Sequence, residues 1–503
     1  MRKIITHTSF CTLLLLTIVL TMLPLARMFH KVEIDYNEGW NAFYSLKAIR
    51  GLDLYTHSTE WTSLNYPPTS FYLNGLIGSI FGDFILAGRI VSLISLFLIS
   101  LSVMYIVYKF SHRLYESSFA ALFCLGSFAG FATHYVAMFD PQMLGQVFTL
   151  LALMIYFINR ESIGKTGHLL IIAILCALGL SVKHSIIAVP LAISIDIFIL
   201  SKKIFVKWLL VCLSVGIILT GFFLFVFGKE LFAQLSFPRT FSISKLIYDS
   251  LRFSGKVGLP ILLLIPWLFQ IVKINYLRIF FLYLLIGIIA GVIGVSGFGV
   301  DVNAFFDSII GLSLIAGLFF ADYNSSKLSK IYTMKFISAV IPIVLISGII
   351  FIFFLKISRI GTDNEIRYGL WRPGILSKIN ALGAAHLSDA GLISEYKGPV
   401  SCQNLLLNYL SGKPFIFDPF YVGEAIVNGK IKESSVLSLI ESGYFDIIQL
   451  KSVISLPESN VVSYGAVKKI GMSNLTENMK VAIARHYHIL WNSVNGWFYV
   501  YNR

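Results

Sequence analysis

Charge is what this chain has least of. Asp, Glu, Lys and Arg together make up 13% of its 503 residues, about half the share of an ordinary soluble domain. Hydrophobic residues reach 56% and mean hydropathy is +0.79. One soluble core cannot bury that much apolar surface, so most of it must face lipid. Cysteine is sparse as well: Cys11, Cys124, Cys176 and Cys212 lie in apolar runs and Cys402 stands alone in the tail. This excludes an intrachain disulfide framework, and no cysteine sits at a metal-ligand spacing. Basic residues outnumber acidic ones, 40 to 26, but they are scattered through short connections without a basic-aromatic stripe, which argues against a nucleic-acid partner. Internal repeats and low-complexity segments are also missing.

Apolar runs broken by polar residues predict eleven membrane spans, at 4–27, 84–108, 117–137, 141–159, 168–182, 185–201, 207–228, 260–273, 276–297, 303–321 and 334–356. The first follows Met1-Arg2-Lys3 and has the layout of a signal peptide. Its apolar run is too long for one, however, and Leu23-Pro24-Leu25-Ala26-Arg27 is too bulky for a cleavage site, so it is read as a span. With Met1 inside, the short inner loops carry Lys109 and Arg113, Arg160 and Lys165, Lys202, Lys203 and Lys207, Lys273 and Arg278, then Lys327, Lys330 and Lys335. All are basic, as the positive-inside rule asks.

The same assignment puts 28–83, 138–140, 183–184, 229–259, 298–302 and 357–503 outside. Residues 67–82 open with Pro67-Pro68 and are too short to cross, so they are expected to lie on the outer surface as an interfacial helix. The chain thus divides into an α-helical polytopic membrane domain, 1–356, with outer loops 28–83 and 229–259, and a tail, 357–503. In the tail, strand-like runs PFIFDPF and FDIIQL alternate with helix-like stretches such as Glu433 to Ser442. A small soluble α/β domain is expected there.

Residues able to carry chemistry collect on the outer face. Ile34 to Tyr55 reads IDYNEGWNAFYSLKAIRGLDLY, with Asp35 and Glu38 three apart before an amphipathic helix predicted from Gly39 to Arg50. Acids at a helix entrance serve as caps and dipole partners, or as a carboxylate pair for proton transfer. Asp140 before Pro141 fits an N-cap with Pro at the first helical position. It also stands at the outer end of a span, where ionisable groups are usually functional. Lys183-His184 interrupts an apolar stretch. The lysine either snorkels to the headgroups or holds an anion, and the histidine satisfies a local hydrogen bond or acts as a ligand. Loop 229–259 adds Arg239, Lys245, Arg252 and Lys256, which suit a phosphate or anionic lipid. Asn303 and Asp307 stand one helical turn apart in GVDVNAFFDS, where capping and helix packing are ordinary roles.

The acidic pair in the first outer loop is followed by an aromatic-rich helix, Gly-x-x-Leu-Tyr at 51–55, Asn65-Tyr66-Pro67-Pro68, and Gly82-Asp83 to Gly88-Arg89 opening the second span. Together they resemble the GT-C glycosyltransferases of the protein O-mannosyltransferase and aminoarabinose-transferase type, glycosyltransferase family 39-like. The likeness covers most of the chain in architecture and is specific between about 32 and 95. It implies an inverting transfer of a sugar from a polyprenyl-phosphate carrier to an acceptor hydroxyl of a glycan, lipid or protein. The expected place is the outer face of a bacterial or archaeal cytoplasmic membrane.

In that family the catalytic acid belongs to an Asp-Glu pair, and here Asn37 precedes Glu38. The resemblance therefore leaves Asp35 as base with Glu38 supporting it, or Glu38 itself. It further matches Asp140 to an acid usually found in Arg-x-Asp, a place for a divalent metal. It places a lysine near Lys183 and matches Asn303 and Asp307 to an Asn-x-x-x-Glu, and with the residues themselves this makes Tyr66, Asp140, Lys183, His184, Arg239, Asn303 and Asp307 the candidates for the substrate or its phosphate. No cofactor follows beyond that metal. Two other readings stay open: a transporter of lipid-linked oligosaccharides, for which Asp196 is the main intramembrane acid, and an O-antigen-ligase-like enzyme using a diphosphate carrier, which loop 229–259 would suit.

Overall fold

The computed structural model describes residues 2–55, 61–237, 239–271, 274, 277–324, 335–362, 364–454 and 475–502. Of the basic residues assigned to the inner loops, Lys273, Lys327 and Lys330 lie outside the described residues. The chain opens with α1 (Arg2–Arg27) and passes through two helices of the first outer loop, α2 (Asn37–Ile49) and α3 (Thr69–Phe81). It continues as α4 (Phe84–Ser111), α5 (Leu114–Phe131), α6 (Gln142–Ile158), α7 (Thr166–Val182), α8 (Ala188–Leu200) and α9 (Lys202–Phe227). A short α10 (Glu230–Leu235) leads to α11 (Ile243–Ile271), α12 (Arg278–Gly294), α13 (Phe306–Asn324) and α14 (Lys335–Ile357). Each predicted span overlaps one of these helices. Among the described residues, α1, α4, α5, α9 and the stretch Val302–Asp322 are long and apolar enough to cross a bilayer. Helices α6, α7, α8 and α12 are apolar but shorter.

Such helices are stable only where lipid or neighbouring helices cover every face. The shared core runs from Leu13 and Leu20 of α1 through Phe119 and Phe128 of α5 to Phe280, Phe306 and Phe319. At the end of the bundle assigned to the inside, Asp196 of α8 is fully buried. It accepts hydrogen bonds from Tyr156 Oη at 2.6 Å, Arg160 Nη2 at 2.8 Å and Arg278 Nε at 2.8 Å. Two guanidiniums and a phenol compensate the buried charge, so Asp196 ties α6, α8 and α12 together.

On the opposite end, Gly82 closes α3 in the left-handed region at φ 69°, and Asp83 caps α4 through the Leu86 amide at 3.1 Å. At 13 residues, α3 is about 20 Å long, too short for a hydrocarbon layer of about 30 Å. The expected loop 229–259 ends early, because α11 begins at Ile243. Lys245, Asp249, Arg252 and Lys256 recur at spacings of four, three and four, which is one face of a helix. Averaged hydropathy conceals an amphipathic helix of this kind.

The tail starts with α15 (Glu365–Tyr368) and α16 (Ile375–Ser394), then β1 (Val400–Cys402), α17 (Leu405–Leu410), α18 (Pro419–Val427), α19 (Glu433–Glu441) and β2 (Ile447–Leu450). It finishes with α20 (Glu477–His486), β3 (Tyr487–Ser493) and β4 (Gly496–Tyr501). The sheet order is β1-β2-β4-β3, with β1 and β2 parallel and the other pairs antiparallel. FDIIQL supplies β2, whereas PFIFDPF is not a strand. Asp418 within it caps α18 through the Phe420 amide at 2.9 Å with Pro419 next, and Phe415 and Phe417 fill the core from irregular chain. The tail docks on the first outer loop where α17 meets α2. A Cβ at Gly39 would stand 2.3 Å from Leu405 O, so only glycine permits this approach.

Candidate functional site

Glu38 is fully buried in the first turn of α2. Arg89 of α4 grips it with two 2.7 Å bonds, Nε to Oε1 and Nη2 to Oε2, and the amides of Ile34 and Phe139 add bonds of 3.0 and 3.1 Å. The other Arg89 donors go to the carbonyls of Met28, His30 and Val32. Four donors occupy the capacity of a carboxylate, and the arrangement pins residues 28–38 to α4.

Asp35 is placed differently. Its side chain retains 12% exposure, accepts a 3.4 Å bond from the Asn37 amide and pairs with Arg367 of α15. Burial pushes its carboxyl up to about 6, against the pull of Arg367, with Asp301 and Glu33 adding to the rise. The backbone carrying Arg367 is fixed from α1, since Arg27 Nη1 donates to the carbonyls of Ile366 and Arg367 at 2.8 and 2.7 Å.

A second group joins several of the expected residues. Lys183, after α7, is buried and not extended to the headgroups. Its Nζ donates to Gln142 Oε1 at 2.7 Å, lies 3.9 Å from Asp140 Oδ1 and stands 5.1 Å over the Tyr66 ring. Burial lowers its ammonium, against the attraction of Asp140. Gln142 Nε2 in turn donates to the Asn303 carbonyl at 2.6 Å. Tyr66 and Arg239 line a cavity of about 60 Å³ with Tyr36, Trp40, Asp418 and Phe420. Arg239 donates to Phe298 O at 3.0 Å. His184 is exposed beside Lys183. Asp307 is hydrogen-bonded to Tyr283 Oη at 2.9 Å, inside the bundle between α12 and α13.

A larger cavity, about 230 Å³, opens between α5, α11 and α14. Arg252, Lys256, Lys356 and Arg359 line it together with Phe131, Phe253, Phe351 and Leu355. Lys356 Nζ is anchored to Thr133 Oγ1 at 2.5 Å and Tyr368 O at 2.7 Å, and Lys256 Nζ to Phe131 O at 3.3 Å. On one wall His134 Nε2 meets Asp301 Oδ2 at 2.8 Å. Burial works against the charge of Asp301, but His134, the Val302 amide and Arg367 outweigh it, and the carboxyl stays well below its usual range. Four cations against aromatic and aliphatic walls suit an anionic head on an apolar tail.

Residues 65–227 match the family model described as dolichyl-phosphate-mannose-protein mannosyltransferase. The fold is similar to the crystal structure of ArnT from Cupriavidus metallidurans bound to undecaprenyl phosphate, at 11% identity over 95% of this chain and 97% of that one, with a TM-score of 0.56. It is also similar to ArnT of the same organism in the apo state, at 12% identity over 92% of each chain and a TM-score of 0.53. The family match is confined to residues 65–227, while the likeness in fold extends over nearly the whole chain. No curated protein matches it in sequence.

Within this ArnT-like fold, sequence reasoning missed His134, Asp301, Lys356, Arg359, Arg367 and Tyr368. Lys356 and Arg359 look like the basic end of a span, and Arg367 is an ordinary tail residue 332 positions from Asp35. A divalent metal does not fit the group around Asp140. An ammonium stands 3.9 Å from its carboxylate, and a hard cation needs several oxygen ligands. No cluster of three or more His, Cys, Asp or Glu suited to a metal occurs among the described residues.

Proposed function

We propose that the chain is a glycosyltransferase that moves a sugar from a polyprenyl phosphate to an acceptor hydroxyl at the outer face of the membrane, with Asp35 as general base. The reading rests on one observation above all. Asp35 is linked to both cavities through its neighbours: Tyr36, next in sequence, lines the smaller, and Tyr368, next to its partner Arg367, lines the larger. The larger holds the carrier, phosphate against Arg252, Lys256, Lys356 and Arg359 and isoprenoid along the phenylalanines. The smaller, walled by aromatic rings with Arg239 and Asp418, holds the sugar and the incoming hydroxyl.

In the reaction the acceptor oxygen bonds to the anomeric carbon as the bond from that carbon to the phosphate oxygen breaks. The electron pair leaves with the polyprenyl phosphate, whose growing charge the four cations stabilise. An acceptor hydroxyl is too weak an acid to ionise first, so Asp35 takes its proton late, as the new bond forms. Glu38 serves by holding the loop. Lys183 orients Gln142 and stands over the ring of Tyr66, which lines the smaller cavity.

The carrier site is tested by binding. Arg252→Ala/Lys256→Ala in the full chain is expected to weaken undecaprenyl phosphate binding at least about tenfold, since each charge-assisted hydrogen bond contributes about 1.5–3 kcal/mol. Both side chains stand on the cavity face of α11 rather than in the core, so the variant should fold. Unchanged affinity in a folded variant would place the carrier elsewhere.

A further inference from the structure

Arg367 connects the two halves of the site in a way the transfer reaction alone does not require. Its guanidinium pairs with Asp35 and also lies 5.1 Å over the Tyr368 ring. Arg359, one of the four cations of the larger cavity, lies 5.2 Å over the same ring. Tyr368 is thus shared between the cation that binds the candidate base and a cation that faces the candidate carrier site. The backbone here cannot drift, because Arg27 holds the carbonyls of residues 366 and 367 and Lys356 holds that of Tyr368. The Arg367 side chain is less firmly held: it is 34% exposed, and its Nε, itself buried, has no partner among the described residues.

Resting on the carrier site proposed above, we propose that Arg367 is a positioning residue that couples carrier binding to the base: phosphate in the larger cavity draws the guanidinium off Asp35 and across Tyr368. In the resting chain the ion pair occupies Asp35 and weakens it as a base. With a carrier phosphate beside Arg359, singly charged in the sugar-linked donor and doubly charged in undecaprenyl phosphate, the guanidinium has a second anionic partner for its fork of donors. Asp35 is then released to an acceptor hydroxyl only when a carrier phosphate is bound. The charged groups facing Asp35 are Arg367, Asp301 and Glu33, with the phenols of Tyr36, Tyr66, Tyr135 and Tyr368 around them. Arg367 is the cation among those charged groups, so its departure raises the proton affinity of Asp35. The carboxyl starts from about 6, and its rise brings it closer to neutral pH, where a general base is most effective.

The coupling has a sign that calorimetry reads. If binding raises the proton affinity of Asp35, binding takes up protons at Asp35, and affinity falls as pH rises above about 6, through the window between its free and bound values. The full chain in detergent micelles is titrated with undecaprenyl phosphate in two buffers of different ionisation enthalpy, at pH about 7. Wild type is compared with Asp35→Asn, which removes this uptake and leaves the titration of the phosphate itself. Wild type is expected to take up more protons than Asp35→Asn, by a substantial fraction of one. Arg367→Gln removes the charge and leaves a shorter polar side chain, so adding Asp35→Asn to that variant should change the uptake no further. Equal uptake by wild type and Asp35→Asn, with binding intact, would overturn the coupling and leave the carrier site standing. Failure of wild type to bind undecaprenyl phosphate would overturn the carrier site and the coupling together.

Discussion

Asp35→Asn is expected to lower turnover by about 100-fold or more, the scale of a lost general base, while undecaprenyl phosphate affinity changes only a few-fold. The amide keeps the shape of the side chain and much of its hydrogen bonding, but it cannot accept a proton. As a merely structural residue Asp35 would behave otherwise. Its hydrogen bond to the Asn37 amide is long, 3.4 Å, Asn caps about as well as Asp, and a partly exposed ion pair contributes at most about 1 kcal/mol. The pH profile separates the two roles further. The base acts only when ionised and its carboxyl stands near 6, so kcat/KM of wild type should fall about tenfold per unit on acidification below that value. The acid limb should be missing from the residual activity of Asp35→Asn. Wild-type turnover in Asp35→Asn would remove the catalytic reading of this loop.

Glu38→Gln is expected to fail for another reason, by loss of the folded protein. The side chain is fully buried, and its charge balances that of Arg89, also fully buried. Removing one partner of such a pair leaves an uncompensated charge and costs about 3–5 kcal/mol. The expected result is a large drop in the thermal unfolding temperature and in monodisperse protein recovered from membranes, with a comparable drop for Arg89→Ala. Asp35→Asn should be recovered at the wild-type level. Measuring abundance, unfolding temperature and turnover on all three separates stability from chemistry. A Glu38→Gln protein as stable as wild type but inactive would transfer the role of base to Glu38.

The contrast between these two acids shows what could be read from the chain and what could not. Their spacing and position at the start of α2 were legible from periodicity and capping, as were the apolar helices, because lipid-facing segments leave an uninterrupted pattern. Arg89 stood in the Gly88-Arg89 opening of the second span, but its bidentate grip on Glu38 depends on how α4 returns beside α2. Lys183 and Asp140 belong to different helix connections and were legible one at a time, while the hydrogen bond from Lys183 to Gln142 and its place over Tyr66 required the packing of α6 against α7. The first half of α11 was concealed because Lys245, Asp249, Arg252 and Lys256 dilute a hydropathy average while marking a regular helical face. Arg367 left no local signal, since its meaning comes only from the tail folding back onto the first loop. The aromatic run PFIFDPF misled in the other direction: apolar residues suggested a strand, and Asp418-Pro419 instead started a helix.

The central claim is that this chain transfers a sugar from a polyprenyl phosphate through Asp35. It is tested most directly by mass spectrometry of lipid-linked sugars and cell-envelope glycans in cells lacking the chain, complemented with wild type or with Asp35→Asn at equal membrane abundance. The account predicts that a polyprenyl-phosphate sugar accumulates and that one glycan, lipid or protein loses the same sugar, with both changes reversed by wild type and not by Asp35→Asn. An unaltered profile in the deleted cells, or full restoration by Asp35→Asn, would contradict it.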